Sequence, residues 1–197
     1  MELFRYYYLV NYRSFEQDQD SENFLEPVNM YSIVFREGVL SFHFSITPHP
    51  ANVRRRIRQL SDYLILSSDW ISYAIIDDIT DAFSPLIRNI EDEVDNIDDT
   101  ALQLHSSSDR TAKHVKSDSG ETTAESGRDM LRRVGNCRKK VMLLYRLLGN
   151  KADVIKGFAK RCNGHGEVAP RSEIGLYLGD IQDHIVTMTS NLSHYEK

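Results

Sequence analysis

The hydrophobic pattern changes its period once along the chain, near residue 50. Before that point, residues 4–10 and 30–35 form aromatic or apolar runs, and residues 39–46 alternate between apolar and polar side chains. Such runs are typical of β-strands, because aromatic and β-branched residues suit a pleated surface. Arg36-Glu37-Gly38 indicates a hairpin between the second and third strands. The alternation predicts that the third strand buries Leu40, Phe42, Phe44 and Ile46.

After residue 50, apolar residues recur every three or four positions, which is the spacing of amphipathic helices. Pro48 and Pro50 indicate the start of a first helix, since proline is tolerated in a first turn. Ser67-Ser68-Asp69 then offers capping side chains for a much longer helix that extends to about Leu104. Within that helix, Pro85 is predicted to cause a kink or a break.

Two more helices are predicted in the second half of the chain. One runs from about Asp129 to Cys162 and ends at the glycine-rich residues 163–166. The other begins near residue 170 and keeps its helical spacing to Lys197 without a stop signal. Because three strands are few for a stable sheet and the last helix does not end, we expect the chain to be part of a longer protein.

Opposite charges distinguish the two long helices. Residues 76–104 contain nine acidic residues and one basic residue, whereas residues 128–162 contain eleven basic residues and two acidic ones. Residues 105–127 between them are rich in serine, threonine and glycine, and are predicted to be a flexible connector. We therefore expect an antiparallel helical hairpin whose charges favour the pairing and whose apolar seams provide the stability.

The composition limits the classes of function. Hydrophobic residues make up 41% of the 197, which excludes wholesale disorder, and the net charge of −5 argues against a general nucleic-acid binder. No segment approaches the roughly 20 apolar residues of a membrane helix. The first ten residues lack the pattern of a signal peptide, and two cysteines are too few for a disulfide framework. We therefore expect a soluble, intracellular α/β (α+β) chain in which a short, mainly antiparallel sheet precedes long antiparallel helices.

Two groups of side chains have spacings compatible with metal binding. Asp77, Asp78 and Asp81 share a helix face, so they suit either a hard cation or a solvated acidic surface. Asp180, Asp183 and His184 also share a face, and they suit either a transition metal or an ordinary helix surface.

The other polar candidates have structural interpretations. His43 and His49 lie near no nucleophile pattern, and Cys137 and Cys162 lie on the apolar side of their helix. The basic cluster of the first helix suits phosphate, lipid headgroups, an acidic partner, solvent or a subunit contact; it consists of Arg54, Arg55, Arg56 and Arg58. Because no phosphate-binding glycine loop, Ser/His/Asp constellation or cysteine-pair motif is present, the residues alone indicate no active site.

Three segments of the chain follow a known pattern. The run Asp69-Trp70-Ile71-Ser72-Tyr73-Ala74-Ile75-Ile76-Asp77, with the acidic helix after it, resembles the Asp-Tyr-Leu-x-Tyr-x-Leu-Ile-Asp segment of the CorA family of magnesium channels. Residues 138–148 are similar to the family's next helix. Tyr177-Leu178-Gly179-Asp180-Ile181-Gln182-Asp183-His184 resembles the start of its stalk helix. The order and spacing agree from about Glu2 to the C-terminus.

Residues 35–43 and 48–56 resemble the fungal branch of that family, the Alr-type plasma-membrane magnesium transporters and their vacuolar relatives. The family's Gly-Met-Asn motif, its two membrane helices and its early strands are absent from the sequence. The resemblance therefore implies a non-enzymatic, cytosolic regulatory piece of a longer channel subunit, located at the cytoplasmic face of the plasma membrane or of the vacuolar membrane.

The resemblance also implies a fold, a ligand and partners. It implies a partial αβα sandwich over residues 1–68, the helical hairpin over 69–168 and the start of the stalk helix over 169–197. CorA-like channels are homopentamers whose cytosolic part senses Mg²⁺ held between subunits, so the expected partners are further copies of the subunit. Nucleic acid is not expected, and the membrane is contacted only through the absent C-terminal helices. By the match of motifs, Asp180 and Asp77 are the predicted Mg²⁺ ligands.

Two other hypotheses compete with this interpretation. A helical adaptor would use the long acidic and basic helices to bind partner helices. A metal-dependent hydrolase would use Asp77 and Asp78, but the sequence offers no convergent general base.

Overall fold

The computed structural model describes residues 1–60, 62, 66–111, 120–162 and 172–196. Within these ranges the strands are β1 (Glu2–Leu3), β2 (Tyr7–Phe15), β3 (Pro27–Phe35) and β4 (Val39–His43). The helices are α1 (His49–Leu60), α2 (Ser68–Asp81), α3 (Phe83–Thr111), α4 (Gly120–Leu148), α5 (Lys151–Cys162) and α6 (Ser172–Tyr195). The predicted α/β (α+β) class, a short antiparallel sheet followed by long helices, is confirmed.

The sheet is antiparallel throughout, with the strands in chain order. The described residues form four strands where the sequence predicted three, because the two-residue β1 precedes the first aromatic run and a turn at the start of that run separates it from β2. Alternate residues of the two long strands are buried against the helices, as a pleated strand requires. They are Tyr8, Val10, Tyr12, Ser14, Val28, Met30, Ser32 and Val34.

The predicted burial of the third strand is wrong. Leu40 and Phe42 in β4 are 53% and 49% exposed, and Phe44 and Ile46, which follow the strand, are 91% and 95% exposed. β4 is a short edge strand, and its larger apolar side chains lie on the face of the sheet opposite to the buried residues of β3. The alternation therefore identified the strand correctly but not which face the helices cover.

The predicted interruption at Pro85 is confirmed. α2 ends at Asp81 and α3 begins at Phe83, so Pro85 lies in the first turn of α3, where its missing N–H removes no helical hydrogen bond. The predicted cap at the start of α2 is also present, because the Ser67 hydroxyl accepts a hydrogen bond from the Trp70 amide at 3.1 Å.

The second long helix is divided, contrary to the prediction of one helix over 129–162. α4 ends at Leu148 and α5 begins at Lys151, and Gly149 and Asn150 between them both have low helix propensity. The helices also extend into both ends of the predicted connector, to Thr111 and from Gly120. Serine and threonine cost only roughly 0.5 kcal/mol each in a helix, which does not end one already formed. Residues 112–119 of the connector, and the predicted helix end at 163–166, lie outside the described ranges.

The acidic and basic helices pack antiparallel, as predicted. Leu86 of α3 and Leu144 of α4 line the same cavity. Glu93, further along α3, forms an ion pair at 3.0 Å with Arg133, which lies earlier in α4. Because this ion pair is partly exposed to solvent, it contributes little to stability, and the buried apolar seams provide most of it. Cys137 and Cys162 belong to this core, in agreement with their predicted role.

Candidate functional site

The two predicted Mg²⁺ ligands lie on neighbouring helices, Asp77 on α2 and Asp180 on α6. About one turn before each, the rings of Tyr73 and Tyr177 stack with their centroids 5.1 Å apart. Burial, and then the negative charge of Asp77, raises the pKa of Tyr73 to about 12. Arg56 lowers this pKa, whereas the negative charge of Asp180 raises it by a smaller amount. Both carboxylates therefore act on the same aromatic contact between the helices.

Asp77 is already engaged within the chain. Its Oδ2 accepts a hydrogen bond from Nη1 of Arg56 at 2.7 Å, and the same guanidinium lies 5.9 Å from the ring centroid of Trp70. The basic cluster predicted on α1 therefore includes one arginine that holds α1 to α2. A cation at Asp77 would have to share this carboxylate with Arg56 or displace it.

Asp180 is different, because its carboxylate is exposed and forms no ion pair within the described part of the chain. The neighbouring His184 turns toward the end of α2, where its Nδ1 lies 3.7 Å from Oδ1 of Asp81. Burial, followed by repulsion from Asp77, raises the pKa of Asp81. The predicted cluster of Asp180, Asp183 and His184 is thus not brought together as one set of ligands.

The residues that the structure describes do not form a complete metal site within one chain. Among the described residues, no three histidine, cysteine, aspartate or glutamate side chains are grouped so that they could hold an ion. Mg²⁺ usually keeps several waters and takes only one or two carboxylates. The exposed carboxylate of Asp180 fits such a site when a second molecule supplies the remaining ligands, whereas Asp77 fits it less well.

A buried polar network lies beside this surface and was not predicted. His49 is 1% exposed, and its Nε2 lies 2.7 Å from the Ser14 hydroxyl. Its Nδ1 lies 2.7 Å from Oδ2 of Asp78, which also accepts a hydrogen bond from Asn52 at 3.2 Å. The tautomer with hydrogen on Nδ1 satisfies both contacts, since it donates to Asp78 and accepts from Ser14.

These hydrogen bonds also set the acidity of Asp78. Burial alone would raise its pKa, but the hydrogen bonds from His49 and Asn52, together with electrostatic attraction from His49 and Arg56, outweigh burial and leave the pKa below its usual value. Asp78 is therefore committed to the network, and the predicted hydrolase use of Asp77 and Asp78 as a metal-binding pair has no support in this geometry.

The network has the order of a Ser/His/Asp constellation, which the sequence did not indicate. Ser14 and His49 are each 1% exposed, so a substrate does not reach the serine hydroxyl. The network instead joins β2, α1 and α2, which agrees with the structural role predicted for His49. The sequence held no local signal for it, because His49 is 35 residues from Ser14 and 29 from Asp78.

Comparisons with known proteins agree on one family. The family model of the CorA-like Mg²⁺ transporter protein matches residues 1–197. A Schizosaccharomyces pombe protein named as a metal ion transporter is 59% identical over 197 residues, covering 100% of this chain and 22% of its own length. The Saccharomyces cerevisiae manganese resistance protein MNR2 is 50% identical over 228 residues, covering 94% of this chain and 24% of its own length. Magnesium transporter ALR2 of the same yeast is 44% identical over 238 residues, covering 100% of this chain and 26% of its own length. This chain thus spans about a quarter of these relatives.

Solved structures share the fold. The soluble domain of CorA from Methanocaldococcus jannaschii superposes with a TM-score of 0.68 at 16% identity, covering 99% of this chain and 67% of that one. The full-length CmaX protein gives a TM-score of 0.72 at 14% identity, covering 100% of this chain and 52% of that one. In the described part of this chain, no helix combines the length and apolarity needed to cross a membrane.

Proposed function

Since this chain belongs to the CorA-like Mg²⁺ transporter family, we propose that it forms a cytosolic Mg²⁺-sensing domain in a subunit of such a transporter. Transport would be carried out by the remainder of the subunit, because the chain matches only about a quarter of its fungal relatives. In this proposal, the domain lies at the cytoplasmic face of the plasma membrane or of the vacuolar membrane, in a homo-oligomer that we take to be a pentamer.

The observation that carries the proposal is the environment of Asp180. Its carboxylate is exposed on α6 without an ion pair in the described part of the chain, next to the stacked Tyr73 and Tyr177. A carboxylate in this position can bind a hydrated Mg²⁺ together with a carboxylate of a second subunit. Asp77 lies on the adjoining helix and contributes negative charge, while Arg56 holds its position.

Regulation then follows from charge. Two acidic surfaces repel each other when no cation lies between them, and Mg²⁺ offsets that repulsion. A cation that binds the closed arrangement of subunits more tightly than the open one shifts the population toward the closed arrangement. Loss of Mg²⁺ would let the subunits separate at this surface.

Isothermal titration with Mg²⁺ tests the proposal on this chain. We expect heat of binding for the wild type and a loss of most of it for Asp180→Ala. Asp183→Ala is the matched control, because Asp183 is an exposed aspartate one turn further along α6. A chain that binds no Mg²⁺, or an Asp180→Ala variant that binds as the wild type does, would contradict the proposal. Absence of Mg²⁺ binding, together with capture of a partner helix, would favour the helical adaptor.

A further inference from the structure

A second polar site lies away from Asp180, at the open edge of the sheet. A cavity of about 210 Å³ lies between β2, β3, the end of α4 and the start of α5. Its polar lining consists of three basic and three amide side chains: Arg13, Arg146, Lys151, Asn11, Asn29 and Asn150. No acidic residue lines this cavity among the residues that the structure describes. Asp153, in the first turn of α5, lines a different cavity.

Lys151 is the most unusual member of this lining because it is only 8% exposed. Its Nζ donates a hydrogen bond to the Arg13 carbonyl oxygen at 2.8 Å and lies 4.5 Å from the ring centroid of Tyr12. That carbonyl belongs to the part of β2 beyond its pairing with β1, which involves only Tyr8 and Leu9. These contacts satisfy a donor of the ammonium but bring no negative charge to it.

The ammonium group thus lacks a counter-ion in the described ranges. Burial, and then the positive charge of Arg13, lowers the pKa of Lys151 to about 8. Arg146 adds a second guanidinium to the lining from the last turn of α4, and no ion pair within the described ranges neutralises any of the three. A buried cation without a partner is unfavourable, and an anion placed among these groups would offset that cost.

We propose that this cavity binds a small tetrahedral oxyanion of the phosphate class. Two guanidinium groups and an ammonium are the side chains that recognise such anions, and amide groups supply further donors. The cavity has room for several water molecules of about 30 Å³ each, which suits one oxyanion with its remaining water. Nothing in the proposed Mg²⁺ site uses these residues, which lie on β2, β3, α4 and α5 rather than on α2 and α6.

Titration of the chain with sulfate at constant ionic strength tests this site. Sulfate keeps the same charge across the neutral and mildly alkaline range, so a change of affinity with pH reports on the protein. With a lysine pKa near 8, the protonated fraction falls from about nine-tenths at about pH 7 to about one-tenth at about pH 9. We expect saturable binding by calorimetry whose affinity falls roughly tenfold over that range. Inorganic phosphate should compete with sulfate at neutral pH.

Variants connect the binding to the cavity. Lys151→Met should weaken sulfate binding and abolish its pH dependence. Arg146→Gln should weaken sulfate binding at both pH values, and because Arg146 is exposed, this substitution leaves the core intact. Lys156→Met is the control, because Lys156 is an exposed lysine of the same helix outside this lining. Absence of sulfate binding at concentrations of about 10 mM would overturn the proposal. An equal loss in Lys156→Met would also overturn it, since it would show a general charge effect.

Discussion

Replacement of His49 by alanine is expected to destabilise the chain strongly, although His49 is not one of the proposed Mg²⁺ ligands. The imidazole is buried and joins three elements by hydrogen bonds to Ser14 on β2 and Asp78 on α2, each at 2.7 Å. His49 itself is the first residue of α1. Its removal leaves the buried Ser14 hydroxyl without this partner and takes one hydrogen bond from the partly exposed Asp78.

The expected change in the free energy of unfolding is the sum of the contributions of the lost hydrogen bonds. A buried hydroxyl that loses its partner costs about 1–3 kcal/mol, which applies to Ser14. The hydrogen bond to the charged Asp78 contributes about 1.5–3 kcal/mol, although the bond from Asn52 remains and compensates in part. We therefore expect His49→Ala to lower the free energy of unfolding by about 3–5 kcal/mol.

Urea unfolding followed by circular dichroism measures this change, provided that the slope with denaturant stays constant. His43→Ala is the matched control, because His43 is an exposed histidine whose ring, among the described residues, forms a hydrogen bond to the Ser45 carbonyl oxygen. It should change stability by less than about 0.5 kcal/mol. Ser14→Ala and the double variant with His49→Ala should show coupling, since the two groups are in contact. A loss below about 1 kcal/mol for His49→Ala would refute the view that the network holds the three elements together.

Two further predictions concern the core and the acid limit of stability. Leu178→Ala should lower the free energy of unfolding in urea by about 2–5 kcal/mol, because Leu178 is fully buried. Leu176→Ala should be nearly neutral, since Leu176 is 75% exposed. Equal effects of the two substitutions would contradict the assigned buried face of α6. Asp78 has a lowered pKa in the folded chain, so its contribution to stability is present above its unfolded pKa of about 3.9 and is lost as the pH falls through the folded value. Asp78→Asn should therefore be less stable than the wild type near neutral pH, with a difference that shrinks in acid; a difference independent of pH would contradict this.

The sequence predicted most elements because their signals are local. The hydroxyl of Ser67 and the ring of Pro85 act within one turn of their own positions, so the start of α2 and the break before α3 could be predicted from neighbouring residues. The apolar spacing of α6 was equally informative, since Leu178 and Ile185 are fully buried. Each of these features depends on contacts that the chain makes with itself over short distances or along one helix face.

The remaining features depend on contacts between distant segments. Phe42 alternates with polar neighbours as a buried strand residue does, yet whether its face is covered depends on which elements lie against the sheet. Lys151 looks like one of many lysines in a basic helix, and only the fold buries it beside Arg13, 138 residues away. Asp77 matched a family motif, but its pairing with Arg56 on another helix could not be predicted from spacing.

If Mg²⁺ joins copies of this chain through Asp180, sedimentation velocity measures the change in size directly. We expect the wild type to sediment as a larger species in Mg²⁺ than in a chelator, and Asp180→Ala to sediment alike in both. A wild-type chain whose sedimentation is the same with and without Mg²⁺ would contradict it.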